Sequence, residues 1–257
     1  MGVSKAVAVQ GRVVWALMLR EIHTLYGGDY LGYLWALINS MVQIGIFWVL
    51  RWLLGFHAPH GLSLPLFLIT GFTVWNVFSN IVLKSVAATD GNRALLTFPQ
   101  VTPLDLLLAR AGVILATETA VMLILLALSL TLGYELDAPD LAGLLGVMAC
   151  TVALGLGLGA TLASLAGLLP VLKKIVPIFF RILFFISGIF FSATSLPLFV
   201  RDYVTLNPVL QLIEWLRVSM APAYPPARVD LFYLVMWCLI SLVAGLLLER
   251  YARGRLE

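Results

Sequence analysis

Charged residues, cysteine and histidine are all scarce in this chain of 257 residues. Aspartate, glutamate, lysine and arginine together make up 11% of it, beside two cysteines and three histidines. A soluble domain carries about 25% charged residues, whereas here 61% of residues are apolar and the mean hydropathy is +1.02. Cys150 and Cys238 both lie inside apolar runs, which favours packing over a disulfide or a metal site. The composition excludes a soluble domain and indicates a polytopic membrane protein.

Sequence motifs of catalysis and nucleotide binding are also absent. The chain has no GxxxxGK[ST] phosphate loop, no HExxH, no CxxC pair and no GxSxG. No repeat of fixed period is visible, nor the broken-helix symmetry of many secondary transporters. We therefore expect that the chain is not an enzyme and binds no metal or other cofactor itself.

The apolar residues come in runs of about twenty, enough to cross a hydrocarbon core of about 30 Å as helices. A transmembrane barrel would instead alternate apolar and polar residues in strands of roughly ten. We predict an all-α membrane protein with six transmembrane helices. The predicted spans are Gly32–Leu54, Leu64–Val86, Leu104–Leu132, Leu141–Leu169, Leu172–Ser192 and Leu231–Leu248.

Basic residues concentrate on one side of these spans. That side carries Lys5, Arg12, Arg20, Lys84, Arg93, Lys173, Lys174, Arg250, Arg253 and Arg255. The loop between the third and fourth spans holds Glu135, Asp137 and Asp140 and no lysine or arginine. Because basic residues collect on the cytoplasmic side, both termini are predicted to be cytoplasmic. The bias is incomplete, since the outer side still holds Arg51, Arg201, Arg217 and Arg228.

The N-terminal part of the chain is amphipathic and does not resemble a secretory signal. Leu19–Ala36, LREIHTLYGGDYLGYLWA, is half polar, rich in aromatics, and continues into the first apolar run. This pattern is typical of a helix on the membrane surface, followed by Tyr and Trp at the headgroup level. We predict a cytoplasmic N-terminal region with an interfacial helix (1–31), a six-span domain (32–250) and a cytoplasmic tail (251–257).

The segment 194–226, between the fifth and sixth spans, holds two apolar pieces too short to cross a membrane. Pro197 and Pro208 suit the first turns of helices, and Glu214 and Arg217 are spaced to pair on one helical turn. We predict two short re-entrant helices beside a translocation path, because irregular backbone at membrane depth needs protein or water around it. An amphipathic loop lying flat outside the membrane is the alternative.

Three ionisable residues lie inside predicted spans, where a charge costs at least about 2.5–3.5 kcal/mol. Arg110 either reaches the cytoplasmic interface or pairs with Asp105 on the same helix. Arg181 lies deeper, and Glu118 is the deepest acid. A neutral or structurally paired Glu118 and a Glu118 with a role in transport are both open.

Small residues and aromatics form two further patterns. A stripe at four-residue steps in the fourth span lets another helix approach closely, either within the chain or across a dimer. The stripe consists of Gly155, Gly159, Ala163 and Gly167. Aromatics are dense in the first two spans. Trp75 has polar residues near it, and an aromatic face beside hydrogen-bonding groups suits a sugar ring. An interfacial belt and ordinary core packing are the alternatives for these aromatics.

The loop 87–103 faces the cytoplasm in this topology. Arg93–Phe98 can form a short amphipathic helix that Pro99 ends. A short helix between spans is a surface on which an attached motor protein could push. A plain connector is the alternative.

Three stretches, taken in order, resemble the membrane subunit of bacterial ABC capsular polysaccharide exporters. LREIHTLYGGDYLGYLWALINS is similar to that family's amphipathic helix and first span, and FPQVTPLDLLLAR to its coupling loop and third span. LNPVLQLIEWLR is similar to its segment after the fifth span. The resemblance covers nearly the whole chain. The family often has a basic residue where Leu25 stands and proline where Ser40 stands.

The resemblance implies an inner-membrane permease that exports lipid-linked, usually acidic capsular polysaccharide. Two copies would form a pore above two separate cytoplasmic ATPase subunits that bind ATP and Mg²⁺. The polymer would pass on to periplasmic and outer-membrane export proteins. An exporter of O-antigen or teichoic-acid precursors is the nearest alternative. An ion-coupled transporter or an intramembrane glycolipid enzyme is a more distant one.

Within this mechanism we hypothesise roles for individual residues. The predicted substrate path comprises Tyr33, Trp48, Trp75, Asn76 and Arg181. The predicted contacts with the anionic lipid or glycan are Arg20 and Arg51. The predicted ATPase-coupling residues are Arg93, Leu95, Leu96, Phe98 and Pro99.

Overall fold

The computed structural model describes residues 3–26, 30–55, 62–87, 102–135, 139–225 and 228–256, and every regular element in these ranges is helical. The helices are α1 (Val3–Tyr26), α2 (Tyr30–Leu53), α3 (Leu64–Ala87), α4 (Pro103–Thr131), α5 (Leu141–Leu168), α6 (Leu172–Ile186), α7 (Leu198–Val204), α8 (Pro208–Met220) and α9 (Leu231–Leu256). A 3₁₀ turn, Ala193–Ser195, lies between α6 and α7. The predicted all-α class is confirmed for the described residues.

Within the described ranges, four helices are long and apolar enough to cross a membrane. The stretches are Leu64–Ala87, Leu104–Thr131, Leu141–Leu168 and Leu231–Ala252. They match the second, third, fourth and sixth predicted spans. The first predicted span falls on α2, whose apolar stretch Leu37–Leu53 is shorter, and the fifth falls on α6, which has 15 residues. The number of six spans therefore stays a prediction.

The helix α6 ends before the predicted end of the fifth span. Gly188 has φ +78°, a left-handed value that favours glycine and stops the helix just after Ile186. Two short helices, α7 and α8, follow in the segment where two were predicted. Pro208 occupies the first turn of α8, and the Asn207 side chain accepts a hydrogen bond from Val209 N at 3.0 Å. At the other end of the chain, the predicted tail continues α9 as a helix to Leu256.

The helix α3 lies at the centre of the bundle, where it contacts α2, α4, α5, α6 and α8. Of the residues in its apolar stretch, 89% are buried, against 22% for α9. A helix that is apolar on all sides is stable only when protein or lipid surrounds it. The α3 helix has protein on nearly every side, whereas α9 turns most of its surface outward.

The small residues of α5 bring this helix close to α3. A Cβ atom built on Gly155 would lie 3.3 Å from Ile81 Cβ, and one on Gly159 would lie 3.1 Å from Ser85 Oγ. The remaining members of the predicted stripe are half-buried, namely Ala163 and Gly167. Gly155 and Gly159 thus make a helix contact within the chain, and a seam between two copies stays a prediction.

A second glycine contact joins α5 to α9. A Cβ atom on Gly157 would lie 2.5 Å from Leu242 N, and one on Gly245 would lie 2.8 Å from Gly157 O. The two backbones therefore touch where neither residue has a side chain. Close approach of this kind increases dispersion contact between helices where hydrophobic driving force is weak.

Candidate functional site

Among the described residues, three clusters of buried and half-buried polar side chains join separate segments of the chain, and each is named here after one member. They are the Glu21 cluster (Glu21, Arg110), the Glu118 cluster (Ser40, Asn76, Asn80, Glu118) and the Arg217 cluster (Ser192, Glu214, Arg217, Tyr224). A buried polar group is costly unless it is hydrogen-bonded. The partners of each cluster therefore indicate what it holds in place.

The Arg217 side chain on α8 is fully buried and reaches two other segments. Its Nη2 donates to Gly188 O at 2.8 Å, to Ile189 O at 3.3 Å and to Phe67 O at 3.4 Å. Its Nη1 donates to Glu214 Oε1 at 3.1 Å. The guanidinium carbon also lies 3.6 Å from the centre of the Phe67 ring. One side chain thus ties α8 to the first turn of α3 and to the chain that leaves α6.

Glu214 completes this cluster and pairs with Arg217 as its spacing predicted, with both side chains 0% exposed. The Tyr224 hydroxyl lies 3.1 Å from Glu214 Oε1 and 2.7 Å from Ser192 Oγ. Burial raises the pKa of Tyr224 to about 12, so the hydroxyl keeps its proton at physiological pH and can donate. The cluster is an ion pair with additional hydrogen bonds, and it holds α8 against α3 and against the chain that follows α6.

The Glu118 cluster joins α2, α3 and α4 in the middle of the bundle. Glu118 Oε1 accepts hydrogen bonds from Ser40 at 3.3 Å and Asn80 at 3.1 Å, and Oε2 accepts one from Asn76 at 3.4 Å. The Glu118 side chain is 5% exposed. Glu118 thus ties three helices together by hydrogen bonds, and its role in transport stays a prediction.

Glu118→Gln and Glu118→Leu separate hydrogen bonding from charge at this position. We expect Gln to lower stability less than Leu, because its carboxamide oxygen can still accept from Ser40 and Asn80, while its NH2 group faces the Asn76 donor. Leu leaves two buried donors and one half-buried donor without an acceptor, and we expect it to lower the free energy of unfolding by about 2–4 kcal/mol. Thermal unfolding of the detergent-solubilised protein measures both. Equal destabilisation by the two variants would show instead that the negative charge holds the helices.

The Glu21 cluster is a buried ion pair between α1 and α4. Arg110 Nε lies 2.5 Å from Glu21 Oε1, with the side chains 6% and 2% exposed. Arg110 Nη1 also donates to Lys84 O, in the last turn of α3, at 2.7 Å. The predicted partner of Arg110, Asp105, instead caps the start of α4, where its carboxylate accepts from Thr102 N at 2.9 Å. The predicted pairing of Arg110 with Asp105 was therefore wrong, because the Asp105 carboxylate is hydrogen-bonded to Thr102 in the cap of α4.

Two residues of the predicted substrate path, Trp75 and Asn76, lie inside the bundle and are 6% exposed. The Trp75 ring packs against Phe78, Phe180 and Phe184 at centroid distances of 6.2, 6.0 and 5.5 Å. Asn76 is a donor in the Glu118 cluster. Within one copy of the chain both residues pack, and their role in a path stays a prediction.

The remaining predicted path residues are placed differently. Trp48 is half-buried and meets the Tyr134 ring edge-on at 6.0 Å. Arg181 is exposed on α6. The side chain of Tyr33 lies outside the described part of the structure. The path residues whose side chains are described are thus divided between the core and the surface of a single copy.

The residues predicted to contact an anion also lie apart. Arg20 is half-buried on α1, whereas Arg51, near the end of α2, donates to Phe190 O at 2.5 Å. Arg51 therefore binds the same chain segment after α6 that Arg217 binds. The predicted coupling residues fall outside the described residues, namely Arg93, Leu95, Leu96, Phe98 and Pro99.

Apolar side chains point outward along one face of α6. Four of them are 57% to 62% exposed, namely Ile178, Phe179, Ile182 and Phe185. The α2 helix has a comparable face, which includes Trp35, Ile46, Val49 and Leu53. Exposed apolar area of this extent in one chain indicates contact with lipid or with another protein surface.

Sequence reasoning did not single out Glu21 or Tyr224 as members of buried clusters. Glu21 is the single acidic residue of α1, and this isolated charge in an apolar helix could have indicated a buried partner. Tyr224 lies in a proline-rich turn, where nothing in the sequence marks it. Among the described residues, no group of three or more His, Cys, Asp or Glu side chains is placed to hold a metal ion. His57 and His60 fall outside those residues.

Comparison with protein families gives one match that covers most of the chain. The model for the ABC-2 type transporter matches residues 12–221. This range contains α2 to α8 in full, together with the Glu21 and Glu118 clusters.

Individual relatives extend the similarity to nearly the full length. The chain is 31% identical to the polysialic acid transport protein KpsM of Escherichia coli over 246 residues, 94% of each chain. It is 26% identical over 252 residues to the capsule polysaccharide export inner-membrane protein CtrC of Neisseria meningitidis serogroup B, covering 97% of this chain and 95% of CtrC. It is 25% identical over 253 residues to the capsule polysaccharide export inner-membrane protein BexB of Haemophilus influenzae, with the same coverage.

Proposed function

Because the chain belongs to the ABC-2 type transporter family, we propose that it is the membrane subunit of an ATP-driven exporter of lipid-linked capsular polysaccharide. The observation that carries the proposal is similarity over nearly the whole chain to three inner-membrane or transport proteins named for capsule polysaccharide or polysialic acid. The polymer would move from the cytoplasm across the bacterial inner membrane.

We further propose that α2 and α6 complete a set of six spans with α3, α4, α5 and α9. The outward apolar faces of α2 and α6 suit lipid or a second copy. In this topology α1 lies on the cytoplasmic surface and both termini are cytoplasmic, as the basic residues indicate. The helices α7 and α8 would be re-entrant on the opposite side, where the Arg217 cluster supplies the partners that irregular backbone needs.

ATP hydrolysis would take place on a separate subunit, since the sequence has no phosphate-binding loop. Two such subunits, with bound ATP and Mg²⁺, would dock on the cytoplasmic side and push on the segment 88–101, which contains Arg93 and Pro99. Arg20 on α1 would lie on the same side. Periplasmic and outer-membrane proteins would receive the polymer.

A homodimer would enclose the polymer path between exposed faces of two copies. The α6 face suits this role because Arg181 stands among exposed aromatic side chains, and a cation favours an acidic glycan. A two-fold axis would place one such face opposite its copy. Trp48 and Tyr33 on α2 would line the same path, and Trp75 and Asn76 would reach it only if α6 moves away.

Two alternatives are distinguished by their cargo or their energy source. An exporter of O-antigen or teichoic-acid precursors would share this architecture and motor, and would differ only in the polymer. An ion-coupled transporter would need a buried acid that changes its charge. Glu118 is such an acid by depth, but its three hydrogen-bond donors give it a structural role.

The proposal is tested in the natural host with a tagged copy of the chain. We expect deletion of the gene to remove surface polysaccharide and to leave it inside the cell, and the tagged copy to restore it. A nucleotide-binding subunit should co-purify with the tagged chain, and its ATPase activity should rise in the complex. Normal surface polysaccharide in the deletion strain, or purification without such a subunit, would contradict the proposal.

A further inference from the structure

We propose that the Glu21–Arg110 pair is a positioning element for transport, which makes α1 move together with both helices that flank the segment 88–101. The inference rests on the proposed function, because it concerns how force on that segment reaches the rest of the permease. It assigns a role to two residues that the sequence did not connect.

The end of α3 is held by a side chain of α4. The α3 helix ends at Ala87, and the Lys84 carbonyl oxygen lies in its last turn. Arg110 Nη1 donates to that oxygen at 2.7 Å, and a cation at this position also opposes the helix dipole. Arg110 therefore caps α3, although it belongs to α4.

The start of α4 is bound by α1 through the residues of a helix cap. Thr102 and Asp105 form a capping box there, with Asp105 N donating to Thr102 Oγ1 and the Asp105 carboxylate accepting from Thr102 N. The same carboxylate accepts a hydrogen bond from Gln10 Nε2 of α1. The residues that cap the two helix ends are thus the residues that α1 binds.

The helix α1 also packs against α4 through apolar side chains. Leu17 packs against Leu106 and Ala109, and Met18 lies against Gly112, so most of the contact surface is apolar. Apolar contact is non-directional and allows one helix to slide on another. Hydrogen bonds fix direction and distance. Glu21 and Gln10, eleven residues apart on α1, therefore fix its register against α4 at two points.

The α4 helix extends the same connection inward. Eight residues after Arg110 on α4, Glu118 accepts a hydrogen bond from Ser40 of α2. A displacement of α3 and α4 relative to α1 would break charged contacts that water cannot replace, since both side chains of the pair are at most 6% exposed.

The test uses a double replacement that keeps the fold. Glu21→Met with Arg110→Met exchanges a buried ion pair for apolar side chains of similar size, a change that proteins often tolerate without loss of stability. Arg228→Met is the control, because its side chain is 59% exposed and lies 3.8 Å from Asp230, which keeps its hydrogen bond to Tyr233 N at the start of α9. Each variant is purified with its ATPase partner and reconstituted in proteoliposomes. Thermal unfolding, ATP hydrolysis and polysaccharide transport are measured on the same preparation.

We expect the Glu21/Arg110 double variant to unfold at the wild-type temperature and to hydrolyse ATP, but to move roughly tenfold less polymer per ATP, since mutations along coupling networks shift coupling by up to about that factor. The control should match wild type. Wild-type transport per ATP in the double variant would overturn the inference. Absence of transport by the wild-type chain would instead contradict the proposed function.

A second variant keeps the inference testable if the double replacement does not accumulate. Gln10→Ala removes the other α1 link without burying a charge. We expect it to lower transport per ATP about threefold while the complex stays intact, a smaller loss because a neutral donor is weaker than an ion pair. Full coupling in Gln10→Ala would overturn the inference in the same way.

Discussion

Arg217→Met is expected to prevent accumulation of the folded protein in the membrane. Without the guanidinium group, Glu214 remains buried with no counter-charge, and Gly188 O and Ile189 O lose their donor. Removing one partner of a buried ion pair costs about 3–5 kcal/mol. Because folded domains are stable by only about 5–15 kcal/mol, this is a large share of the total. Immunoblotting of membranes and thermal unfolding of the solubilised protein measure the effect.

Arg228→Met is the control for this variant, since Arg228 is 59% exposed and lies 3.8 Å from Asp230. An exposed pair of this kind contributes about 1 kcal/mol or less. Adding Glu214→Gln to Arg217→Met should recover part of the lost protein, because it removes the uncompensated charge. If Arg217→Met accumulated as well as Arg228→Met, the Arg217 cluster would not be what holds α8 in place.

Gly157→Ala is expected to have the second-largest effect. The added Cβ would lie 2.5 Å from Leu242 N, a backbone atom that cannot move without displacing α9. Overpacking of a close contact costs about 1–3 kcal/mol, and a backbone clash places this variant at the upper end. The measurement is thermal unfolding, together with the fraction of protein that stays monodisperse in detergent.

Gly11→Ala makes the same chemical change where nothing lies within 4 Å of the new Cβ. Alanine favours a helix over glycine by about 0.5–1 kcal/mol, so this control should be neutral or slightly stabilising. Opposite signs for the two variants are the expected result. A neutral Gly157→Ala would show that α5 and α9 can separate at no cost, contrary to the close packing described above.

The long helices could be predicted from the sequence because the membrane sets their length. Leu64–Ala87 and Leu141–Leu168 differ from their predicted spans by a residue at one end. The end of α6 could not be predicted in this way. Hydropathy continues through Phe191, and the helix stops because of the backbone conformation of Gly188. A hydropathy scale describes the transfer of side chains from water to lipid, and it carries no information about backbone conformation.

Polar pairing was predictable only where both partners lie on one helical turn. Glu214 and Arg217 met this condition, and the structure pairs them. Arg110 did not, because its partner Glu21 lies 89 residues away and the nearer carboxylate of Asp105 serves a helix cap. The aromatic residues show the same limit. From its sequence context, Trp75 could line the substrate path or pack in the core. Its contacts with Phe180 and Phe184 of α6 show that it packs in the core of one copy.

The central position of α3 also bears on how the protein responds to bilayer thickness. With 89% of its apolar stretch buried, α3 is insulated from acyl chains, whereas only 22% of the corresponding stretch of α9 is buried. A thinner or thicker membrane would therefore act on α9 directly and reach α3 through the helices packed around it, α5 among them. Since the α5–α9 contact is made backbone to backbone at Gly157, tilting of α9 would carry α5 with it. The glycine contact is thus a route by which lipid composition reaches the centre of the bundle.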